Sequence, residues 1–508
     1  MRALTSEQMR EADQAAVAHG GDVVLMHAAG AALAEAIDIV APGARTLVAF
    51  AGPGNNGGDA YAAFAAHTGA ARRTVYALST STTSEGRRDA ERRARAAGVI
   101  TQPFPATAED ARAALADADL VLDALLGTGA RPELPPPMRE LVAALAANRA
   151  PILAVDIPTG VDATSGAVGT LAVRATATVM LGAPKIGLLL EPARGYAGDL
   201  YVGDLAIGDE IARANGAAFD ALDDAEFLAL LPSRGDESDK RRSGAPLIVA
   251  GSEQFPGAAV LCSRGAARAG AGYVTVAAGR LAAPALRAHL VEQVVVTYDE
   301  SDVDAAVETL LDVSAHSSAV GIGPGLGLSE TTAAIVRGFI ERLEHPFVAD
   351  ASALTHLGKH LTLLRGKACV LTPHAGEFSR LSGAGTIAEG TRVERLRAFV
   401  DRTGITTLLK GSATLVYDGT TMHVNVTGTS ALATAGTGDV LTGIIATLLG
   451  QGLRPVDAAR VGAYWHGLAG RRAAAERHVG VVAGDVAEAL GPALPLAPRS
   501  YNHLTRLI

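Results

Sequence analysis

Short apolar runs alternate with helix-patterned stretches along almost all of this 508-residue chain, and that alternation limits its fold more than any other feature. Strands separated by helices run parallel and need cover on both faces, so the pattern predicts α/β layers. In the first half the strand candidates are Thr46–Phe50, Thr74–Leu78, Leu120–Ala124, Ile152–Asp156 and Thr176–Leu181, with helices such as Thr5–His19, Glu85–Ala97 and Pro137–Ala147 among the intervening stretches. A second series runs through Leu247–Ala250, Tyr273–Ala277, Ser318–Ile322, Phe347–Asp350, Ala368–Thr372 and Thr407–Lys410. The segment Ala413–Val426 breaks the rhythm: two β-rich runs flank Asp418-Gly419, the signature of a hairpin. Between the series, Asn215–Gly244 is mixed and charged, so a linker is placed at Ala221–Arg242 and the domains at residues 1–215 and 225–508.

Hydrophobic residues make up 49% of the chain and charged residues 19%, enough for a core in each half. With a formal net charge of -9 and no basic stripe interleaved with aromatics, nucleic acid is not an expected partner. No apolar run is read as approaching the roughly 18 to 20 residues of a membrane span, and Met1–Gly20 has no apolar signal core; no membrane partner and a cytoplasmic location are expected. Cys262 and Cys369 lie far apart in apolar surroundings and read as buried reduced thiols.

Three strand ends of the first half carry acids and glycines. After Thr46–Phe50 comes Ala51-Gly-Pro-Gly-Asn-Asn-Gly-Gly-Asp59, in which Gly52, Gly54 and Gly57 fit G-x-G-x-x-G at a strand-to-helix turn. Such a turn can cradle a phosphate on helix-start amides, or simply be tight. A classical dehydrogenase places an acid at the end of the next strand; here that end reads Tyr76-Ala-Leu-Ser-Thr80, which argues against hydride transfer. Asp123 leads into Ala124-Leu-Leu-Gly-Thr-Gly129, and Asp156 into Ile157-Pro-Thr-Gly-Val-Asp162. One strand-end Asp is commonly a helix cap. Three together, at the edge where an open sheet binds ligands, point to a site.

These segments, with Lys185 in Ala183-Pro-Lys-Ile-Gly-Leu188, resemble the epimerase domain of NAD(P)H-hydrate repair enzymes across roughly residues 1–210. The resemblance implies that Asn55, Asn56, Gly57, Gly58 and Asp59 bind the hydrated dinucleotide, together with Gly127, Thr128, Gly129, Ala130, Arg131, Pro132, Glu133 and Asp156. It also implies a potassium ion on Asn56, Asp123 and Thr159, oxygen donors that suit a hard cation. Asp156 is the candidate for proton handling. Lys185 reads either as part of that site or as a surface residue. Two departures stand out: Thr159 where the family has Ser, and His27 where it has Glu.

The second half closes its motif set with Ala435-Gly-Thr-Gly-Asp439 at the start of an apolar helix, Val440–Leu449. Gly436 and Gly438 would expose amides as an anion hole, and Asp439 is placed to take a proton from a hydroxyl being phosphorylated. Ile322-Gly-Pro-Gly-Leu-Gly327, Asp350-Ala-Ser-Ala-Leu354, Thr372-Pro-His-Ala-Gly-Glu377 and Lys410-Gly-Ser-Ala-Thr414 also fall at expected strand ends. No G-x-x-x-x-G-K-[ST] occurs, so the site is not a P-loop. Together these motifs resemble the dehydratase domain of the same repair system, a member of the ribokinase-like superfamily, across residues 225–495.

That resemblance implies nucleotide binding at Lys410, Gly411, Ser412, Ala413, Thr414 and Gly438. It places Gly325, His374, Glu377, Asp439 and Ala271 (in Arg268-Ala-Gly-Ala-Gly272) at the hydrated substrate, with Glu377 managing magnesium. Departures are Ser352 for a second Asp, Gly428-Thr-Ser-Ala-Leu-Ala433 for a Gly-Asn-Pro-Gly-Met-Ala run, and Asp239-Lys240-Arg241 for His-Lys-Gly. Trp465 and His466 read as core.

The fold class expected is therefore two three-layer αβα domains, Rossmann-like then ribokinase-like. The expected activity is R/S epimerisation of hydrated NAD(P)H and dehydration of the S form, with ADP, or ATP, as phosphoryl donor. Potassium, magnesium, small-molecule substrates and further copies of the same chain are the expected partners. The competing readings are a vitamin-precursor kinase fused to a Rossmann-like module, and a nucleotide-sensing scaffold.

Overall fold

The computed structural model describes residues 1–508 apart from 81–82, 130–131, 214–218, 233–242, 384, 386–390, 478 and 499–500. The chain forms two units, Met1–Asp224 with Pro498–Ile508, and Ala225–Ala497. The closing segment Pro498–Ile508, expected in the second half, thus returns to the first. The expected linker contains a helix, Asp224–Leu230; its stretch from 233 to 242, which includes Lys240, lies outside the described residues.

The first unit is built on an eight-stranded sheet, in spatial order Leu504–Arg506, Asp199–Gly203, Ala177–Leu181, Ile152–Val155, Leu120–Ala124, Thr46–Ala51, Arg72–Ala77 and Ile100–Pro103. All pairs are parallel except the first, where Leu504–Arg506 runs antiparallel to Asp199–Gly203. Strand order reverses between Thr46–Ala51 and Leu120–Ala124. Loops diverge to opposite faces at such a reversal and leave a crevice at the carboxyl edge.

The helix Asp22–Val40 packs its buried side chains Met26, Ala29, Ala32, Leu33, Ala36 and Ile37 into the same core as Val179 and Leu181. At 19 residues with a mean hydropathy of 1.7, it is long and apolar enough to cross a membrane by length and composition, contrary to the sequence reading. The acidic residues of this helix are Asp22, its first residue, and Glu35 and Asp38 in its last third.

In the second unit the parallel strands are ordered Thr407–Leu409, Cys369–Leu371, Phe347–Ala349, Ala319–Ile322, Pro246–Val249, Thr275–Gly279 and Val294–Tyr298. The expected hairpin is present: Thr414–Tyr417 and Met422–Asn425 add to the Thr407 side in antiparallel pairing. Here the order reverses between Pro246–Val249 and Ala319–Ile322. Both cysteines are buried and free, as expected.

The helices Pro256–Arg268 and Thr437–Gly450 touch through glycines. A Cβ on Gly443 would lie 1.9 Å from the Cys262 carbonyl oxygen, and one on Gly265 would lie 2.4 Å from that of Val440. Neither obstacle is a side chain able to swing away. We predict that Gly443→Ala destabilises the second unit by about 2–3 kcal/mol, the overpacking cost outweighing a helix-propensity gain of about 1 kcal/mol. Denaturant unfolding checks this, and a loss under about 0.5 kcal/mol would contradict the packing account.

Candidate active sites

The first site is a cleft of about 540 Å3 at the strand-order reversal of the first unit. Its lining includes Asn55, Asn56, Asp59, Gly127, Thr128, Gly129, Asp156 and Lys185. The glycines of its loop act differently. Gly52 and Gly57 are required by close approach, since a Cβ would meet the Leu125 oxygen at 1.8 Å and the Gly52 oxygen at 2.2 Å; beside Gly54 there is open space. Gly54 is also the N-cap of the helix Asn55–Ala66 and no side chain caps it, so its first-turn N–H groups can receive an anion.

A buried residue outside the sequence motifs holds this loop. Arg87, on the helix Glu85–Ala96, is 2% exposed and donates from Nη1 to the carbonyls of Gly52 at 2.8 Å and Gly54 at 2.7 Å. His27 pairs with Asp89 at 2.8 Å, outside the cleft lining.

Asp156 sits at a strand end with φ of 69°, a left-handed conformation that costs a non-glycine residue on the order of 1–3 kcal/mol and concentrates at working sites. Both carboxylate oxygens are engaged. Oδ1 contacts Lys185 Nζ at 2.6 Å and accepts the Leu181 N–H at 3.1 Å; Oδ2 accepts the Thr128 hydroxyl at 2.7 Å and its N–H at 3.2 Å. Burial pushes this carboxyl up, but the Lys185 charge and these hydrogen bonds outweigh it and hold the pKa below the ordinary value. Lys185 is 1% exposed, which settles its two readings against a surface residue. Asp59, also buried, is pushed well above the usual carboxylate range by burial and then by Asp156 and Asp13.

Behind the cleft, Asp123 is fully buried; its oxygens accept the Thr159 N–H at 2.8 Å and hydroxyl at 2.7 Å, and burial raises its pKa to about 6. Asn56 spends its amide N–H on the Leu126 carbonyl at 3.0 Å, and its Oδ1 stands beside Gly127. A carboxylate without a counter-charge among neutral oxygens fits a monovalent cation. No group of three or more His, Cys, Asp or Glu side chains with metal-site geometry occurs among the described residues.

Of the other residues singled out, Gly57 and Gly58 are buried packing positions; a Cβ on Gly58 would meet Met26 at 2.9 Å. Pro132 and Glu133 stand outside the cleft lining, with Glu133 exposed, and Ala130 and Arg131 lie outside the described residues.

The second site forms because the parallel strands end level. Ile322 pairs with Ala349 and Ala349 with Leu371, which brings the loops after 322, 349, 371 and 409 to one edge. Lys410 Nζ contacts Asp350 Oδ1 at 2.8 Å, and the Thr442 hydroxyl donates to Asp350 Oδ2 at 2.9 Å. A Cβ on Gly438 would lie 3.3 Å from Lys410 Nζ and 3.8 Å from Asp350 Oδ2, so the motifs converge, and one on Gly436 would lie 3.9 Å from Asp439 Oδ2. The helix Thr437–Gly450 has no side-chain cap, and Gly436 takes φ of 90° to start it. Burial, then Asp350, pushes Asp439 up to about 7, with Lys410 opposing. Lys410 is itself lowered by burial, but Asp350, Glu377 and Asp439 outweigh this and leave it firmly charged.

Glu377 Oε2 accepts the His374 N–H at 2.9 Å while His374 Nδ1 accepts from Gly376 at 3.0 Å, a reciprocal cap on the helix Ala375–Ser382. A Cβ on Gly411 would lie 2.2 Å from the guanidinium of the buried Arg392, which would have to shift to admit it. Ser412 is exposed, Ala413 is buried, and the Thr414 hydroxyl donates to the Gly411 carbonyl at 3.2 Å. As expected, Trp465 and His466 are buried in a helix, with the indole N–H donating to Leu490 at 2.8 Å.

Ala271 is not brought to this cluster. It follows the C-terminal end of the helix Pro256–Arg268, where the Gly270 carbonyl accepts Gln451 Nε2 at 3.4 Å. Gln451 ends the helix Thr437–Gly450, about 18 Å along its axis from Asp439. The other end of Pro256–Arg268 faces the site: a Cβ on Gly325 would meet the Phe255 oxygen at 2.7 Å and Ala258 Cβ at 2.8 Å. Glycine-rich segments flank both ends of that helix, and only the structure shows which end faces the edge.

Two doubly wound units, each gathering acids and a lysine paired to one of them at the carboxyl edge of its sheet, are the build of a two-site α/β enzyme. Residues 22–187 match the family described as the YjeF-related protein N-terminus, and residues 246–492 the family described as NAD(P)H-hydrate dehydratase. The chain is 36% identical over 504 residues to the bifunctional NAD(P)H-hydrate repair enzyme Nnr of Pyrobaculum aerophilum, covering 96% of this chain and 97% of that one. It is 34% identical over 515 residues to Nnr of Moorella thermoacetica, covering 96% of each. Among solved structures, the ADP/ATP-dependent NAD(P)H-hydrate dehydratase of Bacillus subtilis, co-crystallized with ATP/Mg2+, is 29% identical, covers 53% of this chain and 94% of that one, and has a TM-score of 0.47. The chain belongs to the family of bifunctional NAD(P)H-hydrate repair enzymes. The kinase and scaffold readings fall away.

Proposed function

We propose that the first cleft interconverts the R and S epimers of hydrated NAD(P)H, and that the second site dehydrates the S epimer with ADP, or ATP, as phosphoryl donor. The observation that carries the second assignment is Asp439 beside an uncapped helix start and the Lys410–Asp350 pair.

Hydroxide leaves carbon poorly and phosphate leaves well. Asp439 takes the proton of the substrate hydroxyl as its oxygen attacks the terminal phosphorus of the nucleotide. The bridging P–O bond breaks and AMP departs when ADP is the donor. The C–O bond then breaks as the ring nitrogen's lone pair expels phosphate, and loss of a proton from the adjacent carbon restores the dihydropyridine. Protein groups here position and neutralise charge: Lys410 and the first-turn amides face the phosphates. Magnesium, when bound, would neutralise phosphate charge, held by Glu377 and the nucleotide's own oxygens. In the first unit Asn56, Asp123 and Thr159 would hold potassium, which would offset the Asp123 charge behind the loop. Asn55, Asp59, Gly127, Thr128 and Gly129 bind the hydrated dinucleotide there.

A mixture of R and S hydrates tests both halves at once. With a nucleotide donor, we expect complete recovery of reduced-nicotinamide absorbance. A plateau at the S fraction would remove the first activity, and no recovery with either donor would remove the second.

A further inference from the structure

One wall of the first cleft carries an acid that no sequence motif pointed to. Asp13 lies on the helix Ser6–Gly20 and lines the cleft with Asp59, Asp156 and Lys185. The three carboxyls differ in their ties. Asp156 is locked by Lys185, Thr128 and Leu181. Asp59 is buried at 7% exposure. Asp13 is half-buried and receives no hydrogen bond from the described residues, so its oxygens remain available to a ligand.

Inverting the hydroxyl-bearing carbon requires a proton to be delivered to the departing oxygen and another to be removed from the incoming water. We propose that Asp13 is the proton donor of the epimerisation, working against Asp156 as the acceptor; this rests on the first cleft acting on hydrated NAD(P)H as set out above. The C–O bond breaks with its pair going to oxygen, which takes the Asp13 proton and leaves as water. The ring nitrogen's lone pair forms the C=N bond of an iminium. Water then adds to the opposite face, the C=N pair returns to nitrogen, and the added water gives its proton to Asp156. Water on an iminium carbon is strongly acidic, so a carboxylate of low basicity suffices. One proton has entered and one has left, and solvent returns the enzyme to its starting state.

The electrostatics agree with this division. Burial raises Asp13 to about 6, with Lys185 opposing and Asp156 adding to it, whereas Asp156 is held low. Two carboxyls pushed apart by their surroundings are the usual form of an acid–base pair. Asp59, at 7% exposure, is pushed well above the ordinary range by burial and then by Asp156 and Asp13, and stands deeper in the wall than Asp13. The charged groups around Asp13 are Lys185, Asp156 and Asp59, with Arg10 and Asp22 on the cleft wall and Glu210 on the helix Gly208–Arg213 packed against its own.

The test is interconversion of a purified hydrate epimer by the full-length protein, followed by chromatography across pH. For the wild type we expect the rate to fall as pH rises above about 6, because Asp13 must carry a proton. For Asp13→Asn we expect a loss of about 100-fold with no such alkaline fall, partial rescue in Asp13→Glu, and hydrate binding within about threefold of wild type. An Asp13→Asn variant that interconverts at the wild-type rate overturns the proposal. So does a wild-type profile that is flat between pH 6 and 8, even if the variant misfolds. A wild type that does not interconvert the epimers overturns the assigned activity itself, and this proposal with it.

Discussion

Asp439→Asn is expected to dehydrate the S hydrate about 10^3-fold more slowly than wild type while R/S interconversion continues unchanged. The carboxylate is the base for the hydroxyl being phosphorylated, and Asn cannot accept that proton. Because burial and Asp350 raise this carboxyl to about 7, the wild-type rate should climb about tenfold per pH unit below 7 and level off above it. The variant's residual rate should show no such rise. Stability should move the other way. An unfolded Asp releases its proton near pH 4, whereas the folded chain keeps this one until about 7, so folding loses stability as pH rises through that window. Asp439→Asn removes the loss, and the variant should melt higher than wild type at pH 8 but not at pH 4. A variant within about tenfold of wild-type turnover would exclude Asp439 as the base.

The second large effect is expected at Asp156. Asp156→Asn should slow R-to-S conversion about 10^3-fold and leave dehydration of pure S hydrate untouched. It should also destabilise the first unit by about 3–5 kcal/mol, because the Lys185 ammonium is buried against that carboxylate and would be left without its counter-charge. The double variant Asp156→Asn, Lys185→Met separates the effects: stability should largely return and activity should not. Normal interconversion in either variant would clear Asp156 of proton handling.

Much of this was legible in the sequence because its signals are local. Strand-end acids, glycine turns and the Asp418-Gly419 hairpin each lie within a few residues of the structure they dictate. Strands at and beside the sheet margins were not legible. Ile100–Pro103 is exposed along its length and Leu504–Arg506 is a three-residue edge strand, where pairing rather than hydrophobic pattern defines a strand; Asp199–Gly203, beside that edge, has the short buried run Leu200-Tyr-Val202 and was missed as well. The second unit's Val294–Tyr298 is likewise a sheet margin. Asp13 and Arg87 were missed for a related reason. Each lies on a helix whose pattern looks merely amphipathic, and each reaches its partners across long sequence separations. Ala271 shows the converse: a local motif placed at the substrate by resemblance follows the end of its helix that lies away from the edge.

The homeward turn of residues 498–508 has a consequence for how the protein is made. Leu504–Arg506 completes the first sheet along Asp199–Gly203, and Glu35 fastens the backbone N–H groups of Asn502 and His503 at 2.8 Å each. A ribosome delivers this strand only after the whole second unit, so the first unit cannot be finished until the second has been made. A fragment stopped at residue 224 would carry a raw sheet edge open to pairing with other chains. Splitting the two activities onto separate polypeptides therefore calls for grafting the tail onto the front piece, not for a single cut.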